Sequence, residues 1–467
     1  MSAYRRLLSN TFLFSVSTFG SKILTFLLTP FYTSILSDAE YGVTDLIIQT
    51  GNFLIPLASI GVVNAALRFG LDGRADKTGV FTTGMAAVLA GEGVLVLLYP
   101  LLTSIGLMEG YTVLLLLYVL MANLHSLCGA MAQALGKIRL YAAGGILCTA
   151  LVVLLNILLL AVFRMGITGY ILSNIIADGV TVLVLFAALR LWRYLNPRAL
   201  RRSLAGRMFR YCLPLIPATV CSWVINISDR YFISYLIGSD VSGQYAVSGK
   251  VSMALLTVSG IFTDAWQLSI VSDRPREEKG RFFSNVLSVF EAGVLSAAAV
   301  LIAAAPLIIR LLAAPGYFTA WHYVPLLVLG AAVASLGSFF SSVYTSEMRT
   351  SATFMTTLLG AAANLVGNAL LIPRWGAMGA AAATLLSYLL ILIFRAAHSH
   401  RLLPFRWSVW RFIAATAVLL AECLLMEMGR FAAAAVCCAA VLLLYCRPMA
   451  RGLKSGVLEV VRTKRRG

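Results

Sequence analysis

Residues 141–163 read YAAGGILCTALVVLLNILLLAVF, with Lys137 and Arg139 just before them and Arg164 just after. No charge interrupts the run, and a bilayer core of about 30 Å takes about 20 apolar residues as a helix. In lipid the backbone must satisfy its own polar groups, so a continuous run of this length reads as a membrane-spanning α-helix. Such runs recur throughout the 467 residues, of which 60% are hydrophobic and 12% charged, with a mean hydropathy of +0.88. Soluble domains carry roughly a quarter charged residues. The composition therefore excludes an ordinary soluble enzyme, and it excludes a disordered or collagen-like chain.

Fourteen runs of this kind are predicted, the first starting near Thr11 and the last near Phe431. The first follows Arg5 and Arg6 and stays apolar to about Leu36. It is too long for a signal-peptide core and lacks a small-x-small cleavage site, so it reads as a permanent helix. The formal charge of +18 becomes a topology signal in so apolar a chain. With the N-terminus in the cytoplasm, 30 Lys/Arg fall on the cytoplasmic side and only Arg164, Arg310, Arg374 and Arg430 on the other. Lys22, Arg230 and Lys250 fall inside spans. The expected protein is all-α and polytopic in the cytoplasmic membrane, with both termini cytoplasmic.

The loops are too short to house a soluble domain. No G-x-x-x-x-G-K-[ST] phosphate loop and no H-E-x-x-H occur, so neither ATP hydrolysis nor a zinc-peptidase site is expected. The four histidines (125, 322, 398 and 400) are scattered, and neither a metal nor a cofactor is expected. The eight cysteines lie in or at the edge of predicted helices, where they read as small packing residues. Catalytic residues, enzymatic activity and a nucleic-acid partner are not expected.

The flanks of the quoted run recur. Gly136-Lys137-Ile138-Arg139, Asn156 and Arg164-Met165-Gly166-Ile167-Thr168-Gly169 have counterparts in Ser346-Glu347-Met348-Arg349, Asn368 and Arg374-Trp375-Gly376-Ala377-Met378-Gly379. Ser37-Asp38 and Ser239-Asp240 form an earlier pair. An offset of roughly 200–212 residues is a transporter-like internal repeat. It predicts a six-helix bundle over 1–190, a basic linker over 191–210 and a second bundle over 211–400. Two further helices over 401–447 and a basic tail over 448–467 complete the chain. Six helices per half implies repeats related along the membrane normal, with a cleft between them opening alternately to each side.

Asn10-Thr11 with Gly20, Lys22 and Pro30, then Leu36-Ser37-Asp38-Ala39-Glu40-Tyr41-Gly42, resembles the first hairpin of the oligosaccharide flippases. These form the polysaccharide-transporter branch of the multidrug/oligosaccharidyl-lipid/polysaccharide superfamily. Asp229-Arg230-Tyr231 and the Arg139 turn are similar too. The resemblance covers the whole chain and implies fourteen helices. It also implies transfer of a lipid-linked oligosaccharide between leaflets by alternating access, among membrane lipids and polysaccharide biosynthesis enzymes.

Charges inside hydrocarbon are costly, so each is by default a lining or a pair. Thr18, Lys22, Thr25 and Thr29 form one stripe, and Asp45, Gln49, Asn52, Pro56 and Ser59 a second. Span seven offers Ser222, Trp223, Asn226, Asp229 and Arg230, and span eight Lys250, Thr257 and Asp264. The expected substrate has an anionic diphosphate, which Lys22, Arg230, Lys250 and, near the mouth, Arg68 suit. Gln49, Asn52, Asn226 and Thr257 suit sugar hydroxyls, and Trp223 a sugar face. Asp45, Glu92, Asp178, Asp229, Asp264 and Glu291 suit ion coupling or charge pairing.

A structural reading stands beside each assignment. The cations equally neutralise neighbouring acids, Arg68 equally snorkels to ordinary lipid phosphates, and Trp223 equally packs. Two functional alternatives also stand: a cation-coupled multidrug exporter of the same fold, and a membrane glycosyltransferase or ligase. The last should carry a sizeable outward loop with catalytic groups, whereas the longest one here, near Ala313–Ala320, is short.

Overall fold

The computed structural model describes residues 26, 28–71, 76–104, 110–213, 215–270, 276–347 and 349–464. Lys22, Thr18 and Thr25 lie outside the described residues. Among those described, all regular structure is helical. Ten helices are long and apolar enough to cross a membrane, or eleven when one bent pair counts as a span. The longest, Thr350–Leu402, has 53 residues and would extend about 80 Å as a straight helix. Gly376, at φ 59° and ψ −145°, breaks it into two spans.

The chain forms two compact units, residues 1–223 with 238–243, and residues 224–237 with 244–467. In the first, α1 is Thr29–Ile35, α2 Asp38–Ala58, α3 Val62–Gly70, α4 Lys77–Leu97 and α5 Thr112–Ala134. Next come α6, Ile138–Asn156, which widens into a π-turn over Ile157–Val162, α7, Gly166–Ala188, and α8, Arg202–Cys212.

A capping box starts α2: Glu40 N–H donates to Ser37 Oγ, and Ser37 N–H donates to Glu40 Oε2 at 2.9 Å. The span is then bent by 54° between α2 and α3. Ile60 and Gly61 occupy left-handed backbone there, at φ 49° and 65°. Glycine takes that conformation readily and a β-branched residue does not.

The arginine-rich stretch 191–210 is not a bare linker. Short 3₁₀ turns over Leu191–Tyr194 and Pro197–Ala199 lead into α8. Thr82 Oγ1 donates to the Tyr194 carbonyl at 3.0 Å and accepts from Asn196 N–H at 3.1 Å. Leu191, Leu204, Met208 and Cys212 are buried in one core with Val62, Val80, Phe81 and Met131. Each fully buried large side chain contributes about 1.5–3 kcal/mol, which holds this cationic segment onto α3 and α4.

Helix α9, Leu215–Leu236, leads through α10, Ser239–Ile270, into the rest of the second unit. There follow α11, Arg276–Ala303, α12, Ala305–Leu312, α13, Val324–Ser346, α14, Thr350–Leu402, α15, Val409–Glu427, and α16, Phe431–Lys464. Aromatic rings fill the core of this unit: Trp266 stacks on Phe339 at 5.1 Å, Phe290 on Phe339 at 5.0 Å, and Phe283 meets Phe405 at 4.8 Å. Such pairs add about 0.5–1.5 kcal/mol beyond burial.

The repeat has a backbone counterpart in each unit. Gly166 and Gly376 take φ 54° and 59° at their matched turns. One helical turn on, a Cβ on Gly169 would stand 3.2 Å from the Leu159 carbonyl, and one on Gly379 would collide with that of Leu371. Glycine is required at both places for the same two reasons, a left-handed turn and a tight return against the preceding helix.

One charge sits differently from its expected place. Arg395, counted with the loop after the twelfth span, is buried within α14. Its Nε donates to Thr356 Oγ1, Nη1 to the Gly337 carbonyl and Nη2 to Thr357 Oγ1, at 3.0–3.2 Å. The guanidinium thus ties the two halves of α14 and α13 together.

Candidate functional site: polar clusters within the two units

In the first unit α2 presents Gln49, half-buried, and Asn52, exposed. Tyr118 of α5 donates to Asn52 Oδ1 at 3.3 Å, and Asn52 Nδ2 reaches Gln49 Oε1 at 3.4 Å. Trp223 donates from Nε1 to the Gln49 carbonyl at 3.0 Å and stacks on Phe53 at 4.0 Å. One face of the indole is therefore covered by a phenyl ring. The amide pair beside it keeps an exposed edge suited to hydroxyl recognition.

Two turns along α5 from Tyr118, His125 Nδ1 lies 2.7 Å from Asp178 Oδ1 of α7. Cys148 of α6 donates to the same oxygen at 3.4 Å. The three ligand atoms lie within 4.8 Å of one another, a donor set able to hold a borderline-soft metal ion. Sequence reasoning placed Asp178 among the acids but left its partners out, because the three residues come from separate helices.

Asp45 is buried in α2. Glu92, in α4, is buried, and its Oε2 has no hydrogen-bond partner among the described residues. Gly91 next to it lets α4 close onto the end of α2, because a Cβ there would collide with the Ala58 carbonyl. Arg68 is exposed in the last turn of α3 and forms no ion pair among the described residues.

The second unit builds its polar centre on Asp229 of α9, which is 3% exposed. Its carboxylate accepts from Asn368 Nδ2 at 2.7 Å, Thr384 Oγ1 at 2.6 Å, Tyr245 Oη at 2.8 Å and Asn364 Nδ2 at 3.4 Å. Ser228 Oγ donates to Asn364 Oδ1 at 2.7 Å and accepts from Asn368 at 3.1 Å. These hydroxyls and amides come from α9, α10 and both halves of α14. Asn364 and Asn368 lie four apart, so both project from one face of α14. That spacing in an apolar helix was the available signal, and it went unused except for Asn368 in the repeat.

The neighbouring Arg230 points elsewhere, since consecutive helical residues project about 100° apart. Its Nη2 lies against α10, 3.1 Å from where a Cβ on Gly249 would stand. Gly249 immediately precedes Lys250, so two predicted cations come to the same turn of α10. Both are half-buried, and Lys250 forms no ion pair among the described residues. Asn226 is exposed and accepts from Tyr388 Oη at 2.9 Å. Thr257 is half-buried and Asp264 exposed, farther along α10.

Glu291 is taken up differently. It is fully buried in α11, where Oε2 accepts from Trp407 Nε1 at 2.7 Å and Oε1 from Tyr445 Oη at 2.5 Å. Arg411 Nε stands 3.7 Å from the same carboxylate. These partners come from the approach to α15, from α15 and from α16, so Glu291 anchors the last helix pair.

This helical framework, with its internal repeat and ionisable groups held at mid-span, defines a multi-pass membrane transport fold. It is similar to the lipid II flippase MurJ in an inward closed conformation, at a TM-score of 0.72 and 14% identity over 95% of this chain and 99% of that one. It is also similar to an inward-facing multidrug resistance MATE family transporter of the MOP superfamily (TM-score 0.65, 12% identity, 83% and 95% covered). The Vibrio cholerae MATE transporter VcmN in its bent form aligns at 0.55 with 13% identity over 85% and 96%. The chain belongs to the polysaccharide biosynthesis protein family, whose profile matches residues 7–267. An uncharacterized membrane protein, MJ1068, of Methanocaldococcus jannaschii is 25% identical over 202 residues, 42% of this chain. The chain spans about two-fifths of that relative's length, 39%.

Proposed function

We propose that this protein flips a polyprenyl-diphosphate-linked oligosaccharide or cell-wall precursor across the cytoplasmic membrane by alternating access, for polysaccharide export. The observation that carries the reading is the placing of Arg230 against Gly249, beside Lys250, in a chain of the polysaccharide biosynthesis family. Half-buried cations suit a diphosphate: Arg pairs bidentately and Lys as a point charge. Lys22 and Arg68 are further cations proposed to meet the diphosphate. Gln49, Asn52, Asn226 and Thr257 exchange hydrogen bonds with sugar hydroxyls. Asp229 is the acid proposed to couple transport to a cation, because its donors are all neutral and the carboxylate charge is not cancelled by them. Asp45, Glu92, Asp178 and Asp264 are secondary candidates, and the N- and C-termini lie in the cytoplasm.

Reconstitution with a fluorescent polyprenyl-diphosphate sugar, scoring leaflet accessibility with and without an imposed gradient, tests this. Arg230→Gln and Lys250→Gln are each expected to slow translocation at least about tenfold, the loss of one charge-assisted contact of about 1.5–3 kcal/mol. Unchanged flux in both would overturn the cationic path. A multidrug exporter is the second reading, supported by the likeness to MATE transporters and by the buried Asp229. It requires gradient-driven efflux of a cationic dye in the same vesicles with no movement of the lipid-linked sugar.

A further inference from the structure

We propose that the crevice between the second half of α14 and α15 holds a resident anionic phospholipid of the inner leaflet. The crevice is a cavity of about 1020 Å³ walled by Leu389, Leu392, Ile393, Phe412, Ile413 and Leu420. That lies at the upper end of the range for small-molecule sites. Ile393 and Ile413 are 62% and 47% exposed, so the slot opens sideways to the bilayer. One end of the slot is lined by Arg401, Arg406 and Trp407.

A second cavity of about 380 Å³ adjoins it, sharing Arg406 and Trp407, and is lined by Ser284, Asn285, Ser288 and Arg411. The pair has the two-part chemistry of an amphiphile: an apolar slot continuous with a small cup of hydroxyls and guanidiniums. Trp407 stands at the junction with its Nε1 already engaged by Glu291, the place a ring with one polar edge favours at an interface.

The charge of the cup selects the headgroup. Arg401 and Arg406 are exposed and form no ion pair among the described residues. Arg411 donates from Nη2 to Ser288 Oγ at 3.2 Å and faces Glu291 at 3.7 Å. Glu291 also accepts from Trp407 and Tyr445, so its negative charge is spent inward. A zwitterionic headgroup would bring its own amine against three arginines, whereas a phosphodiester with no amine meets them with the complementary sign. The basic loop at this end of the spans belongs to the cytoplasmic side under the positive-inside rule, where anionic lipid attracts such residues. None of the residues assigned to substrate contact takes part, so the inference stands apart from the proposed flippase activity.

The test is native mass spectrometry of the delipidated full-length protein, titrated with phosphatidylglycerol, phosphatidylcholine or polyprenyl phosphate. Phosphatidylglycerol should bind preferentially. Removing two charges by Arg401→Gln with Arg406→Gln should weaken it roughly thirtyfold and leave phosphatidylcholine unchanged. Ala417→Trp, which fills the slot and spares the arginines, should abolish the phosphatidylglycerol adduct and decides the matter if the double variant does not fold. Equal binding of the two phospholipids, wild-type affinity in a folded double variant or in Ala417→Trp, or saturation by polyprenyl phosphate alone would each overturn the assignment.

Discussion

Asn368 Nδ2 donates to Asp229 Oδ1 across 2.7 Å, joining two helices whose residues stand 139 apart in the chain. Every donor to this carboxyl group is a neutral amide or hydroxyl, and the donors keep their geometry because the acid is there. Replacing Asp229 by Leu would leave the buried Tyr245 and Thr384 hydroxyls without their acceptor and remove one bond each from Asn364 and Asn368. We expect a loss of about 2–4 kcal/mol in stability, read as a lowered unfolding midpoint in detergent. Asp229→Asn retains the shape and should lose gradient dependence of transport while remaining folded; gradient-driven flux at the wild-type rate would remove Asp229 from coupling.

Tyr445→Phe deletes one of the two short hydrogen bonds held by Glu291. The expected cost is about 1.5–3 kcal/mol, typical of a bond to a charged group. Because Glu291 ties α11 to α15 and α16, hydrogen exchange should accelerate in those elements and stay unchanged in α4 and α5. Uniform acceleration through both units would refute a local anchor.

Arg395→Lys keeps the charge but cannot reproduce three separate donations from one planar fork. Leaving Thr356, Thr357 or the Gly337 carbonyl without its donor should lower stability by about 1–3 kcal/mol. Thermal unfolding of the purified variant measures it, and a midpoint within error of wild type would contradict the bridging role.

Gly166→Ala and Gly376→Ala place a side chain on positive-φ backbone that other residues rarely adopt, at a cost of about 1–3 kcal/mol each. The two should behave alike because the turns are repeats of one another. Gly379→Ala should be worse than either, since its Cβ collides with a backbone carbonyl rather than a movable side chain. Expression of folded protein in membranes, followed by unfolding midpoints, orders the three.

Much of the helical framework was legible because its signals are local. A span is announced by an uninterrupted apolar run, and the repeat by glycines at turns where no other residue fits. The sequence around Gly166 and Gly376 carried the match even though the residues between them had drifted. The polar clusters were less legible, because their partners converge from distant spans. Asp229 stood out as a charge in an apolar run, yet nothing near it in the chain points to Thr384 or Tyr245. His125 looked isolated for the same reason. Arg395 was misplaced because a lone arginine near the end of a run resembles a loop charge; its burial depends on Thr356 and Thr357, about 40 residues away. The basic stretch 191–210 hid its apolar anchors, Leu191, Leu204 and Met208, among six arginines.

The paired left-handed residues Ile60 and Gly61 give the second span an elbow. A straight helix resists flexing because every turn is latched to the next, and tilting one end strains the whole rod. Here the latch is already interrupted, Gly61 N–H reaching back to Pro56 and Val62 N–H to Ser59, so the arm bearing Arg68 takes a direction of its own from the arm bearing Gln49 and Asn52. Neither arm unwinds, and Cys212 fixes the joint by donating from Sγ to the Gly61 carbonyl at 3.1 Å.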